Sequence, residues 1–162
     1  MNARVGKFVK YWVPAIVWIV VALIASSDLM SAERTSRFFV PFLRWLTPDI
    51  SPETVAMAQL MVRKLAHLTE YGVMAALLLR AIRAGTGPLG WPHVLIALAV
   101  AAVCAVSDEF HQSFVASRTG SALDVMIDIT GALIGIGAYW LFLWWRREAA
   151  HPSRALAGGS AG

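Results

Sequence analysis

Three stretches carry the residues that could do chemistry. Asp108-Glu109-Phe110-His111-Gln112 closes an apolar run, with Arg118 a few residues on. Arg63-Lys64-x-x-His67-x-x-Glu70-Tyr71 opens another, and Lys64, His67 and Tyr71 stand at i, i+3 and i+7, one face of a helix. Asp124 and Asp128 lead into Gly131 and Gly135 at spacings of 4, 3 and 4, again one face. Carboxylates beside an imidazole are the groups that move protons, so Asp108 or Glu109 as general base with His67 as acid–base partner is the catalytic possibility. Lys64 and Arg118 suit phosphate, while Glu70, Gln112 and the remaining acids suit hydroxyls or amines. Arg63, Lys64 and Arg118 face Glu70, Asp108, Glu109, Asp124 and Asp128, so the acids outnumber the bases. A proton, a protonated histidine or a bound cation is needed to balance them if all lie close together. A cation held by Asp108, Glu109, Asp124 and Asp128 would see oxygen donors alone, which suits Mg²⁺ or Ca²⁺ rather than zinc. No compact metal motif, glycine-rich phosphate loop or nucleophile elbow is present, and no other cofactor is expected.

The elements that must position these groups are set by hydropathy. The chain has 162 residues, 58% hydrophobic and 15% charged, with a mean hydropathy of +0.63. A soluble domain is about 45–50% apolar and about 25% charged. The excess is clustered in runs close to the roughly 20 residues that cross a bilayer. The pattern predicts an all-α integral membrane four-helix bundle occupying residues 1–147, with spans near 11–27, 60–83, 91–108 and 122–145. Trp12, Pro14 and Trp18 argue against a cleaved signal core in the first run. Phe38 to Leu46 is apolar but too short to span, and its aromatics beside Arg37 and Arg44 predict a short interfacial segment broken up by Pro41, Pro48 and Pro52. Ser51-Pro52-Glu53 reads as a helix start, with a capping hydroxyl, proline at the first position and an acid in the first turn. Residues 148–162, rich in Ala, Gly and Ser, read as a disordered cytoplasmic tail. The sole cysteine, Cys104, lies in an apolar run and excludes a disulfide framework. A net charge of +4, spread around apolar segments, does not point to nucleic acid.

Four spans put both termini on one side. Arg4, Lys7, Lys10, Arg80, Arg83, Arg146, Arg147 and Arg154 fall on that side, which marks it as cytoplasmic in a bacterial inner membrane. Ser26, Ser27, Lys64, His67, Glu70, Asp108, Glu109, Gln112, Arg118, Asp124 and Asp128 then share one outer layer. Intramembrane charge is costly and faces a bundle interior or water. The Gly131-x-x-x-Gly135 pair allows close helix approach, so the aspartate face of the fourth span turns inward.

At these residues the sequence resembles the VanZ-like family of small bacterial membrane proteins. The likeness runs through Ser26-Ser27, the Arg63 to Tyr71 motif, Ser107-Asp108-Glu109-x-x-Gln112-x-Phe114, Arg118, and Asp124-x-x-x-Asp128-x-x-Gly131, covering most of residues 11–140. It implies a four-helix membrane domain at the cell envelope and a role in resistance to the glycopeptide teicoplanin. Ala116-Ser117 replaces the family's frequent Pro-Gly, and Asp128 stands where the family often has Asn. Three readings remain open. The polar layer engages an envelope lipid, a lipid-linked cell-wall precursor or the glycopeptide itself; or it is a membrane-embedded hydrolase or transferase acting on a phosphorylated lipid; or it holds the helices together through pairs such as Lys64 with Asp108 or Glu109 and Arg118 with Asp124. Proton-coupled transport is the residual option, and a homo-oligomer would be required to complete a path through the bundle.

Overall fold

The computed structural model describes residues 2–26, 32–84, 88–114 and 121–150. These form five helices: α1 (Ala3–Ser26), α2 (Ala32–Leu46), α3 (Pro52–Arg83), α4 (Trp91–Gln112) and α5 (Ala122–Ala150). All but α2 are long and apolar enough to cross a membrane. Their outward faces carry Val, Ile, Leu, Phe and Trp in the open, Val17, Val103, Leu133 and Leu141 among them, as a lipid-facing surface requires. The all-α membrane bundle expected from hydropathy is the architecture observed.

α3 is the centre. Ser51 caps it, its Oγ accepting from the Thr54 N–H at 3.2 Å, and Pro52 occupies the first turn with Glu53. Its 32 residues rise about 48 Å, against about 30 Å of hydrocarbon, so its first turns overhang. α2 packs on that overhang, where Gln59 Nε2 donates to Ser36 Oγ at 2.7 Å. Phe38, Phe42 and Trp45 form an exposed aromatic face on α2, the pattern of an interfacial helix. Pro41 does not break this segment as the sequence suggested; it lies inside the helix. The loss of one backbone bond is tolerable in a short exposed helix whose freed carbonyl can meet water.

α1 runs antiparallel to α3. Trp18 Nε1 donates to the Glu70 carbonyl at 3.0 Å, and Arg80 Nη2 donates to the Lys10 carbonyl at 3.2 Å. The second bond has a local cause. Pro14, inside α1, has no N–H to return to the carbonyl four residues earlier, which is that of Lys10. Arg80 takes the orphaned acceptor and places its guanidinium 5.1 Å from the Tyr11 ring centroid.

The core is built from small residues. Ala97, Ala101 and Ala105 are fully buried along α4, and Ala132 and Gly135 along α5. They close around Tyr71, Met74, Ala75, Leu78 and Leu79 of α3. The helices extend further than hydropathy placed them. α4 continues through Asp108 and Glu109 to Gln112, and α5 runs past Arg147 to Ala150. Intrahelical hydrogen bonding does not stop where side chains turn polar, and the face that buries alanines simply goes on to bury acids. Residues 151–162 of the expected tail lie outside the described residues.

Candidate functional site

The site begins with a backbone contact. A Cβ added to Gly131 would lie 3.0 Å from the Leu68 Cα, and one added to Gly135 would lie 2.7 Å from the Gly72 Cα. Only glycine permits this approach, and it locks α3 and α5 side by side. Leu68 meets Gly131 and Gly72 meets Gly135, so the two helices run parallel. One turn toward the start of each helix, the same register brings His67 to Asp128 and Lys64 to Asp124.

His67 Nδ1 and Asp128 Oδ1 are 3.1 Å apart, with Asp128 fully buried and His67 nearly so. Lys64 Nζ forms an ion pair with Asp124 Oδ1. Lys64 therefore pairs with Asp124, not with Asp108 or Glu109 as the sequence suggested. Spacing identifies a face; which face it meets depends on the glycine register between two distant segments.

α4 supplies the other wall. Its buried face runs Ala97, Ala101, Ala105, Asp108, Gln112, so the acid and the amide continue the alanine stripe. Arg63 Nη2 donates to Gln112 Oε1 at 3.3 Å, and Gln112 Nε2 donates to Asp108 Oδ2 at 3.0 Å. Glu109 Oε2 accepts from the Ser121 N–H at 2.8 Å. That places a carboxylate at the positive end of α5, beside the Ser121 hydroxyl that accepts from the Leu123 N–H at 3.2 Å.

Among the described residues, these bonds leave three buried carboxylate oxygens without a hydrogen-bond partner: Asp108 Oδ1, Glu109 Oε1 and Asp128 Oδ2. Below them the bundle turns apolar at Tyr71, Met74 and Ala75. Above them Arg63 and Lys64 are half-buried at the rim. The arrangement is a buried cluster of acids at one end of a membrane bundle, with Arg63 and Lys64 at its edge.

Most of the sequence-derived set converges here: Lys64, His67, Asp108, Glu109, Gln112, Asp124 and Asp128. Glu70 is half-buried on α3, and its backbone carbonyl takes the Trp18 indole. His111 points outward and is exposed. Arg118 and Ser27 lie outside the described residues, as does any pairing of Arg118 with Asp124. Spacing alone did not place Arg63 against Gln112, nor the Ser121 backbone against Glu109. Ser121 has a readable signal, a hydroxyl immediately before an apolar run with an acid, Asp124, in its first turn.

Four spans around a buried polar cluster define a multi-pass helical membrane protein. The chain belongs to the VanZ/LLP1 family, whose model matches residues 11–143. No curated protein and no solved structure matches the chain.

Proposed function

We propose that the polar end of the bundle engages the headgroup of an envelope lipid or a lipid-linked cell-wall precursor. The observation that carries this reading is the layering of charge: Arg63 and Lys64 at the rim, with unpartnered buried carboxylate oxygens beneath. A phosphate meets the rim cations, and the hydroxyls or amines of the same headgroup reach the acids. The opposite end of the bundle carries Arg4, Lys7, Lys10, Arg80, Arg83, Arg146 and Arg147. That bias supports both termini in the cytoplasm of a bacterial inner membrane, with the polar site facing outward. A contribution to teicoplanin resistance follows on this reading, through the precursor that glycopeptides recognise.

The test is retention of lipids by the purified chain in nanodiscs. A polyprenyl-phosphate-linked saccharide and phosphatidylglycerol should be retained over phosphatidylcholine, and Arg63→Gln should weaken that preference severalfold. Equal retention of all three lipids, unchanged in the variant, would sink the proposal. A reporter fused after Ala150 tests the orientation, since an external signal reverses it.

One observation favours a second reading. His67 paired to Asp128 beside Asp108 is a competent acid–base set, suited to a hydrolase or transferase acting on a phosphorylated lipid. Turnover of the retained lipid by the wild type, lost in Asp108→Asn while retention persists, separates catalysis from binding.

A further inference from the structure

We infer that His67, Asp108 and Asp128 form a divalent-metal site for an ion that takes mixed nitrogen and oxygen donors, Zn²⁺ or Mn²⁺. Each residue offers one donor atom, and the three atoms lie within 4.8 Å of one another. They come from three different helices, α3, α4 and α5, so the chain must be folded for them to meet.

Two features point to a ligand beyond the clustering itself. Among the described residues, Asp108 uses Oδ2 on Gln112 and leaves Oδ1 unpartnered, and Asp128 uses Oδ1 on His67 and leaves Oδ2 unpartnered. Asp128 is fully buried, and Asp108 is 6% exposed. A buried carboxylate oxygen with no donor is costly in a membrane interior, and two on neighbouring carboxylates are costlier. Among the described residues the nearby lysine and arginine do not relieve them, because Lys64 is committed to Asp124 and Arg63 to Gln112. A divalent cation supplies the missing charge and accepts lone pairs from both oxygens.

The distances are those of a site that closes slightly on its ion. With metal–ligand bonds of about 2.0–2.2 Å, donors in one shell stand about 2.9–4.2 Å apart. His67 Nδ1 and Asp128 Oδ1, 3.1 Å apart, show the two side chains already at a spacing inside that range, with the free Oδ2 on the same carboxylate. The 4.8 Å bound lies just outside the range and asks for side-chain adjustments of a few tenths of an ångström.

Gln112 would hold Asp108 in place, and Arg63 would hold Gln112, the kind of outer support that metal ligands use. The donor set differs from the all-oxygen set suggested by the sequence. Asp124 is taken by Lys64, Glu109 stands outside the three residues whose donor atoms meet, and an imidazole enters instead. One nitrogen with two carboxylates moves the preference from Mg²⁺ and Ca²⁺ toward Zn²⁺ and Mn²⁺. Three protein donors leave coordination positions for water or a bound headgroup. The inference stands without the lipid proposal, because the metal alone is the probe.

The experiment is calorimetric titration of the full chain in detergent after chelator treatment, with Zn²⁺, Mn²⁺ and Mg²⁺ in turn. One equivalent of Zn²⁺ or Mn²⁺ should bind at least about tenfold more tightly than Mg²⁺, and His67→Gln and Asp128→Asn should each weaken it by about tenfold or more. His111→Ala, on the exposed face of α4, should leave the affinity unchanged. Should the variants fail to fold, pulsed electron paramagnetic resonance of the Mn²⁺-loaded wild type carries the test, with coupling to one imidazole nitrogen expected. Absence of that coupling, wild-type affinity in His67→Gln, or no saturable binding overturns the site.

Discussion

Gly135 of α5 stands against Gly72 of α3 so closely that a Cβ on Gly135 would fall within 2.7 Å of the Gly72 Cα. Two helices meeting backbone to backbone cannot admit a methyl without moving apart. Gly135→Ala should therefore cost about 3 kcal/mol or more, at the upper end of overpacking penalties. Gly137, two residues on, has nothing within 4 Å of its built Cβ. Gly137→Ala should be neutral to within about 0.5 kcal/mol. Unfolding of both variants in detergent decides this, and equal behaviour would mean that the contact does not set the helix spacing.

Lys64 and Asp124 form an ion pair in which the lysine side chain is 25% exposed and the aspartate 6%. Removing the cation strands a buried carboxylate, so Lys64→Met should destabilise by about 3 kcal/mol, the low end for a buried pair. The double variant Lys64→Met with Asp124→Leu should recover most of that loss, since an apolar pair avoids the desolvation cost. A double-mutant cycle reads the coupling. Additive losses would show that the two side chains do not act as a unit.

Arg80 serves an acceptor that Pro14 leaves vacant. Arg80→Ala should cost about 1 kcal/mol in the native chain, through the carbonyl bond and the Tyr11 ring together. In a Pro14→Ala background the helix can satisfy Lys10 itself, and the same substitution should cost less. Thermal melts of the four chains test this, and an undiminished Arg80 penalty would contradict it.

Glu109 anchors the start of α5 through the Ser121 N–H. Glu109→Gln keeps an acceptor but loses the charge, so it should cost about 0.5–1 kcal/mol. Glu109→Ala loses both and should cost about 1–2 kcal/mol. Hydrogen exchange at the Ser121 amide should quicken in that order. Equal exchange in all three chains would remove Glu109 from this role.

The spans, the Ser51-Pro52-Glu53 start and the inward aspartate face of α5 were legible because each depends on neighbours in sequence. A capping hydroxyl, a proline at the first turn and a 4-3-4 spacing act locally. The partners across the site were not legible. Lys64 faces three candidate acids at similar depth, and only the α3–α5 register, fixed by Gly131 on Leu68, selects Asp124. The end of α4 was misplaced for the opposite reason. Asp108 and Glu109 look like the edge of a membrane run, yet helix geometry carries them inward on the alanine face. The proposed change of donor set, from four carboxylates to one imidazole and two carboxylates, follows from that register together with the inward turn of Asp108 on α4.

Met74, Ala75 and Leu79 seal the bundle directly beneath Tyr71, each at most 1% exposed. Among the described residues, the polar cluster therefore has a floor but no back door. On the proposed reading, anything that engages His67 would approach from the end of α3 that Lys64 marks, not through the apolar half of the bundle. The cluster is thus one-sided, and a reagent confined to the far side of the bilayer should not reach it.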